Sequence, residues 1–550
     1  GSEMCIRDRD NQAVVDGSAE IAAADVYIGA GQLKADAVTD SLAASGALIG
    51  GNGAQSSTGV GGKVLAKVED GAKFTGAGNV EILSMSNSGQ AAVSSAYRGG
   101  ILAAGATLAD AAGHLDTITE IGAIDLTADK LTAKAEASDI LYAETVSGSG
   151  GVISGAAAIS GTKNDAETKV TIGTDGKDGH FDLEALEVLA SRSVKQNGTA
   201  DSVNASVVGA SGARVDNASN AVTAVDIKGN AEFAVNDVNV KAINTYDKNG
   251  KFAYNGSGWS ESGVDYNIQS GSGGVVDAPA VISKTVIDNE ATVDFGADTV
   301  FSRNVARKEK EKDYQFAVSA LNDVKATDKA KLVSGGALAI ADTVSSIDNR
   351  KNKAAVNLNG SITSIDDLIL TANSNANLNS EVYVNTYGAS GVAMGSSTVR
   401  TTSDNSVNFA DGSRTMSYGD LHVYAGQAYE DYSGNNTLHS RVYLWNNTAL
   451  PFSDPEVEAT IVMNNLINID SGAVVKSGRD INLTSNMGIA VADGFSSAKN
   501  PYNELLSLED KSFNGTVDNN SRIVVNGTAE AGVNNIQKFI IDENGRVKVT

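Results

Sequence analysis

Apolar and polar positions alternate in short runs along most of the chain. Val170-Thr-Ile172, Val225-Asp-Ile227, Val293-Asp-Phe295, Val356-Asn-Leu358 and Val407-Asn-Phe409 are the clearest, and each runs into a glycine: Gly173, Gly229, Gly296, Gly360 and Gly412. Ile118 and Ile121 before Gly122 form a weaker copy. Period two predicts strands with one buried face. A second strand series follows: Ile124-Asp-Leu126, Phe181-Asp-Leu183, Val238-Asn-Val240, Leu421-His-Val423 and Ile481-Asn-Leu483. Asp-Gly and Asn-Gly pairs at Asp70-Gly71, Asn359-Gly360, Asp411-Gly412, Asn526-Gly527 and Asn544-Gly545 punctuate them, supplying the positive φ of tight turns.

A third feature is a glycine turn leading into aliphatics: Gly99-Gly100-Ile101-Leu102, Gly150-Gly151-Val152-Ile153, Gly273-Gly274-Val275-Val276, Gly335-Gly336-Ala337-Leu338 and a looser Ser390-Gly391-Val392. From its second glycine to the strand-ending glycine is 22 residues for Gly100–Gly122, Gly151–Gly173 and Gly274–Gly296. The looser copies give 24 (Gly336–Gly360) and 21 (Gly391–Gly412), while the terminal glycines recur every 51 to 67 residues. Short one-faced strands with such turns predict an all-β chain, a right-handed parallel β-helix with coils of 20–25 residues and loop insertions. At about 4.8 Å per coil this predicts on the order of 25 coils and a rod of about 120 Å. A row of β-sandwiches would need more aromatics and cleaner boundaries.

The expected organisation is a tail at 1–9, then a continuous solenoid over 10–550 with insertions near 241–268, 303–330 and 495–515. The second holds the charge run at 303–316, expected as a loop or short helix. The third holds Tyr502-Asn-Glu-Leu505-Leu506-Ser-Leu508, expected as a helical excursion. The opening Gly-Ser-Glu-Met-Cys-Ile-Arg-Asp-Arg differs from all that follows and resembles a translated sequencing-adapter remnant, which would make Cys5 foreign. On that reading the native span lacks cysteine and the chain is the middle of a longer rod.

Composition narrows the function. Aromatics are 5%, with 58 Gly, 4 Pro, 4 His and 1 Cys in 550 residues, so the core is thin and repeated. Net charge is −25, which argues against nucleic acid and against anionic membrane surfaces. No apolar run reaches the roughly 18 residues a membrane helix needs.

Chemistry-bearing motifs are weak. His114, His180, His422 and His439 are scattered without metal spacing. Gly59-Val-Gly-Gly-Lys63 has the Gly-Lys of a phosphate loop, but Val64 follows where Ser or Thr belongs. Asp175-Gly-Lys-Asp-Gly-His180 lacks a calcium loop's ligand spacing. Asp366-Asp367 and Asp542-Glu543 are the carboxylate pairs to weigh for glycoside chemistry, and both read as turns. No cofactor, metal site or catalytic residue is expected. One stretch stands apart: Tyr418, Tyr424, Tyr429, Tyr432, Tyr443, Trp445 and Phe452 crowd together, with Tyr383 and Tyr387 just before. Aromatic rings stack on sugars, so Tyr418, Tyr424, Tyr429, Tyr432, Tyr443 and Trp445 are the candidate ligand-contacting residues.

Ser477-Gly-Arg-Asp-Ile-Asn-Leu-Thr-Ser485, the stretch Ile523–Gln537 running into Phe539-Ile-Ile541, and the Gly-Gly/Ala repeats over about 20–550 resemble the filamentous-haemagglutinin-like adhesins of two-partner secretion. Within that family the chain is most similar to the leukotoxin-family filamentous adhesins. The resemblance implies export through an outer-membrane transporter and folding at the surface of a Gram-negative bacterium. It also implies a structural and binding rod that attaches to cells, matrix or glycans without catalysis. Two other readings stay open: a β-helix polysaccharide lyase or glycosidase, and a tailspike-like or surface-layer rod.

Overall fold

The computed structural model describes residues 2–307, 314–429, 435–486, 488–500 and 508–532, with side chains from residue 10 onward. The chain is all-β: 82% of the described residues are strand, and no α-helix occurs among them. Among the described residues thirty strands join one sheet, and every pairing within it is parallel.

Parallel pairing forces a long return before a strand meets its neighbour. Here Val15, Val68, Ile121, Ile172, Ile227, Phe295, Leu358, Phe409, Ile469 and Val525 pair in sequence, each with the next. Ile21, Phe74, Leu126, Phe181, Phe233, Phe301 and Ile362 form a second ladder. Phe181 stacks on Phe233, and Phe233 on Phe301, at 4.4 Å between centroids. A third ladder runs Val26, Val80, Leu131, Leu186, Val238, Phe316, Leu368, Leu421 and Ile481. The three meet in one continuous apolar core at the base of every winding. Burying these β-branched and aromatic side chains on the pleat is the main stabilising term.

The winding therefore spans 51 to 68 residues in the first ladder, which corrects the expected coil of 20–25. Over the described residues, ten windings at about 4.8 Å give roughly 50 Å, less than half the expected length. The 22-residue segment is half of an arm. Beyond the base, each winding runs out, turns and comes back, and the two halves face each other. Gln196 Nε2 donates to the Ala218 carbonyl at 3.0 Å, the Ser397 hydroxyl donates to Ser380 Oγ at 2.8 Å, and Ser86 and Thr117 share a hydrogen bond of 2.6 Å. These pairs are centred on the Gly-Gly-aliphatic turn, so Gly100 to Gly122 is the return from tip to base. The narrow interior of the arm holds two smaller apolar clusters, around Leu141–Val399–Ile461 and Val215–Leu332–Val442, with Ser, Thr and Asn paired alongside. Phe181 also belongs to a different ladder from Val238, so the second strand series mixed two rungs.

The expected insertions resolve differently. Asp237–Lys248 stays in the sheet. Lys251–Tyr254 and Trp259–Ser262 then form an antiparallel hairpin, laid back over earlier windings. Trp259 Nε1 donates to Asp36 Oδ1 at 2.9 Å, Lys34 Nζ donates to the Tyr254 hydroxyl at 2.8 Å, and Phe252 packs edge-on against Tyr142. In the second insertion, Val305–Arg307 is a single 3-10 turn and Gln315–Leu358 is already sheet, so the excursion is shorter than 303–330. In the third, Ile489–Lys499, Leu508–Glu509 and Ser512–Val525 are strands, and the expected helical excursion falls mainly on 501–507, which lies outside the described residues.

Candidate functional site

The crowded tyrosines lie within one winding, and the fold divides them. Tyr443 and Trp445 stand on the outer face of the arm's outgoing strand. Tyr443 stacks on Tyr383 one winding earlier, 4.9 Å between centroids and 10° between planes. Trp445 lies parallel beside both, at 6.1 and 6.3 Å. Its register neighbours are Asn385 and Lys499, so no ring sits directly above or below the indole in the ladder. Phe495, about half exposed, leans on Tyr443 at 5.5 Å. Tyr266 meets Tyr383 edge-on at 5.7 Å, and Lys331, in the winding between, lies over the Tyr266 ring at 4.8 Å. The Tyr383 hydroxyl donates to Glu381 Oε2 at 2.8 Å; burial and that carboxylate push the phenol pKa up.

The other candidates lie at the base. Tyr424 is buried and packs with Tyr429 and His422, while Asn482 Nδ2 donates to its hydroxyl at 3.1 Å. Tyr418 carries the Arg303 guanidinium over its ring at 3.6 Å. Tyr432 lies outside the described residues. So of the five described candidates, Tyr443 and Trp445 share one partly exposed aromatic face. Tyr266, Phe495 and Lys331 complete it, and they escaped the sequence reading because they come from other windings.

Tyr266 also borders a cavity of about 450 Å³ lined by Glu144, Asp201, Lys251, Asp265 and Gln269. Glu144 accepts from Lys251 Nζ at 2.6 Å and from the Tyr142 hydroxyl at 3.1 Å, and Gln269 Nε2 donates to Asp201 at 2.8 Å. Burial raises the Asp201 pKa; the Gln269 bond opposes the rise and the Glu144 charge adds to it. An aromatic face ending at carboxylates and an amide offers flat apolar contact beside hydrogen-bonding groups, the combination a hydroxyl-rich ligand needs.

The remaining motifs take structural places. Asp366, Asp367 and Asp420 gather around Arg479, with Asp420 within 3.5 Å of its Nε and Asp366 within 3.6 Å of Nη2. Asp367 accepts the Asp420 N–H at 2.8 Å, and Asp420 accepts the Asp480 N–H at 3.0 Å. Asp367 and Asp420 thus each cap the turn of the next winding. Asp542 and Glu543 lie outside the described residues. His114, His180 and His439 pair with Asp165, Glu232 and Asp493, and His422 belongs to the base cluster. Among the described residues no three His, Cys, Asp or Glu side chains converge as a metal site. No helix among them is long and apolar enough to cross a membrane.

The fold and this surface define an all-β chain of parallel windings bearing an outward aromatic ladder. Compared with family models, curated proteins and solved structures, the chain matches none.

Proposed function

We propose that the chain is a binding rod of a secreted bacterial adhesin, wound as a right-handed β-helix, that holds glycans on the Tyr383–Tyr443–Trp445 face. The observation that carries this reading is the ladder itself: aromatic side chains from several windings share one outer face beside a hydrogen-bonding cavity. Repetition of weak contacts along a stiff scaffold gives avidity without a deep pocket. The resemblance to filamentous-haemagglutinin-like adhesins supports a surface location on a Gram-negative cell and export through a two-partner-secretion transporter. The test is a glycan array probed with the full chain and with Tyr443→Ala/Trp445→Ala. Binding to a glycan class that falls about tenfold or more in a folded double variant is expected. No binding, or binding the variant retains, sinks the reading.

A polysaccharide-cleaving enzyme is the second reading, favoured by the Asp201–Glu144 cavity beside Tyr266. Reducing-sugar release lost in Asp201→Asn would favour it over the adhesin.

A further inference from the structure

The tips of the arms carry a feature that glycan contact leaves unused. Ile49, Leu102, Ile153, Val208, Val276 and Leu338 pair in register across six successive windings. They are 39–72% exposed. In the first five windings the preceding residue is also an aliphatic, 47–71% exposed. Two parallel rows of aliphatics thus line one edge.

Charge is kept off this edge. No charged residue occurs in 41–62, 99–109, 145–162, 202–213 or 332–341, in a chain of net charge −25. Two charged residues close to the rows, Asp277 and Arg98, are turned inward. Asp277 is fully buried and accepts from Ser334 Oγ at 2.7 Å and the Gly335 N–H at 3.2 Å. Arg98 is 5% exposed and donates to Asn52 Oδ1 at 2.8 Å.

We propose that this edge is the contact between two copies of the chain, packed antiparallel. Two molecules each carrying −25 repel over most of their surfaces, and an uncharged band is where they can close. The side chains repeat at the strand spacing, about 4.8 Å, so a second ladder of the same rise stays in step along the whole edge. A two-fold axis makes one patch serve both copies. The exposed aliphatic area is on the order of 1,000 Å² per copy, against about 800 Å² per partner in a stable interface. The ladder's midpoint falls between Ile153 and Val208, so these residues meet their counterparts near the axis.

The test is sedimentation of the full chain over about 1 to 100 μM, compared with Leu102→Asp/Ile153→Asp. A wild-type species of twice the chain mass is expected. In a variant with unchanged circular dichroism, the dissociation constant should rise about tenfold or more, because each new carboxylate is buried unpaired. A second variant, Ile153→Cys/Val208→Cys with Cys5→Ser, sets each cysteine opposite the other across the axis and should form interchain disulfides on mild oxidation; this measurement stands if the aspartates prevent folding. A monomer at every concentration, a dimer the aspartates leave intact, or flotation of a monomer with phosphatidylcholine vesicles overturns the proposal.

Discussion

Arg192 and Asp139, 53 residues apart in sequence, form an ion pair inside the arm with side chains 0% and 2% exposed. The guanidinium also donates to Thr168 Oγ1 at 2.8 Å and to the Leu115 and Glu167 carbonyls at 2.9 and 3.1 Å. Asp139 accepts in turn from Ser88 at 2.7 Å and Asn164 at 3.1 Å. One side-chain cluster therefore ties several windings together inside the arm. Lys248 and Asp328, both 0% exposed and 3.2 Å apart, repeat the device further along.

Breaking such a pair from one side leaves a buried charge without its partner. Asp139→Ala should lower stability by about 3–5 kcal/mol, while Asp139→Leu/Arg192→Met should cost far less, since nothing charged is left behind. Urea unfolding midpoints of the two variants decide this. Equal losses would mean that packing volume, and not the unpaired charge, sets the cost.

The Gly-Gly turn makes a sharper comparison between adjacent residues. A Cβ on Gly151 would strike the Gly100 carbonyl oxygen of the preceding winding, and a Cβ on Gly336 would press on that of Gly274. Gly150 has only the Ala205 carbonyl oxygen nearby, at an ordinary 3.5 Å. Gly151→Ala should therefore destabilise by about 1–3 kcal/mol, as overpacking does. Gly150→Ala should be neutral or slightly stabilising, because it only narrows the unfolded ensemble. Thermal melts of the two variants supply the measurement, and similar losses from both would refute the backbone-contact explanation.

These cases show what the sequence made legible. Strand alternation identified inward residues such as Ile172, Ile227 and Phe295, and the terminal glycines tracked the true winding, because Gly173 and Gly296 sit just past the ladder and donate to the Ile121 and Ile227 carbonyls of the previous winding. Alternation alone does not say where a strand's partner lies, so the constant tip-to-base segment passed for a whole coil. The arm's interior misled for another reason: Ser84, Thr117 and Asn217 look like surface residues until the facing half arrives to bond them, and Asn405 until the next winding does. The aromatic surface was half legible. Tyr443 and Trp445 stood out by crowding, but crowding along one winding spreads residues over different sides. Tyr383 and Phe495 become neighbours of Tyr443 only once the period is known.

Asp70 links three windings and should leave a signature in acid. Its Oδ1 accepts from the Ala123 N–H at 2.8 Å and from Thr174 Oγ1 at 2.6 Å, and its Oδ2 pairs with Lys177 at 2.7 Å. Burial raises its pKa, but the bonds from Lys177, Thr174 and Ala123 and the Lys177 charge outweigh it, holding the carboxyl at about 2 against an ordinary 3.8. A carboxyl depressed on folding stabilises the native state above its unfolded pKa and loses that contribution as pH falls toward the folded value. The stability difference between the wild type and Asp70→Asn should therefore be constant above about pH 5 and shrink steadily toward pH 2. Urea midpoints measured from pH 6 to pH 2 test this. A difference that stays flat across the window would mean that Asp70 acts through its shape at the turn, as an asparagine would, and not through its charge.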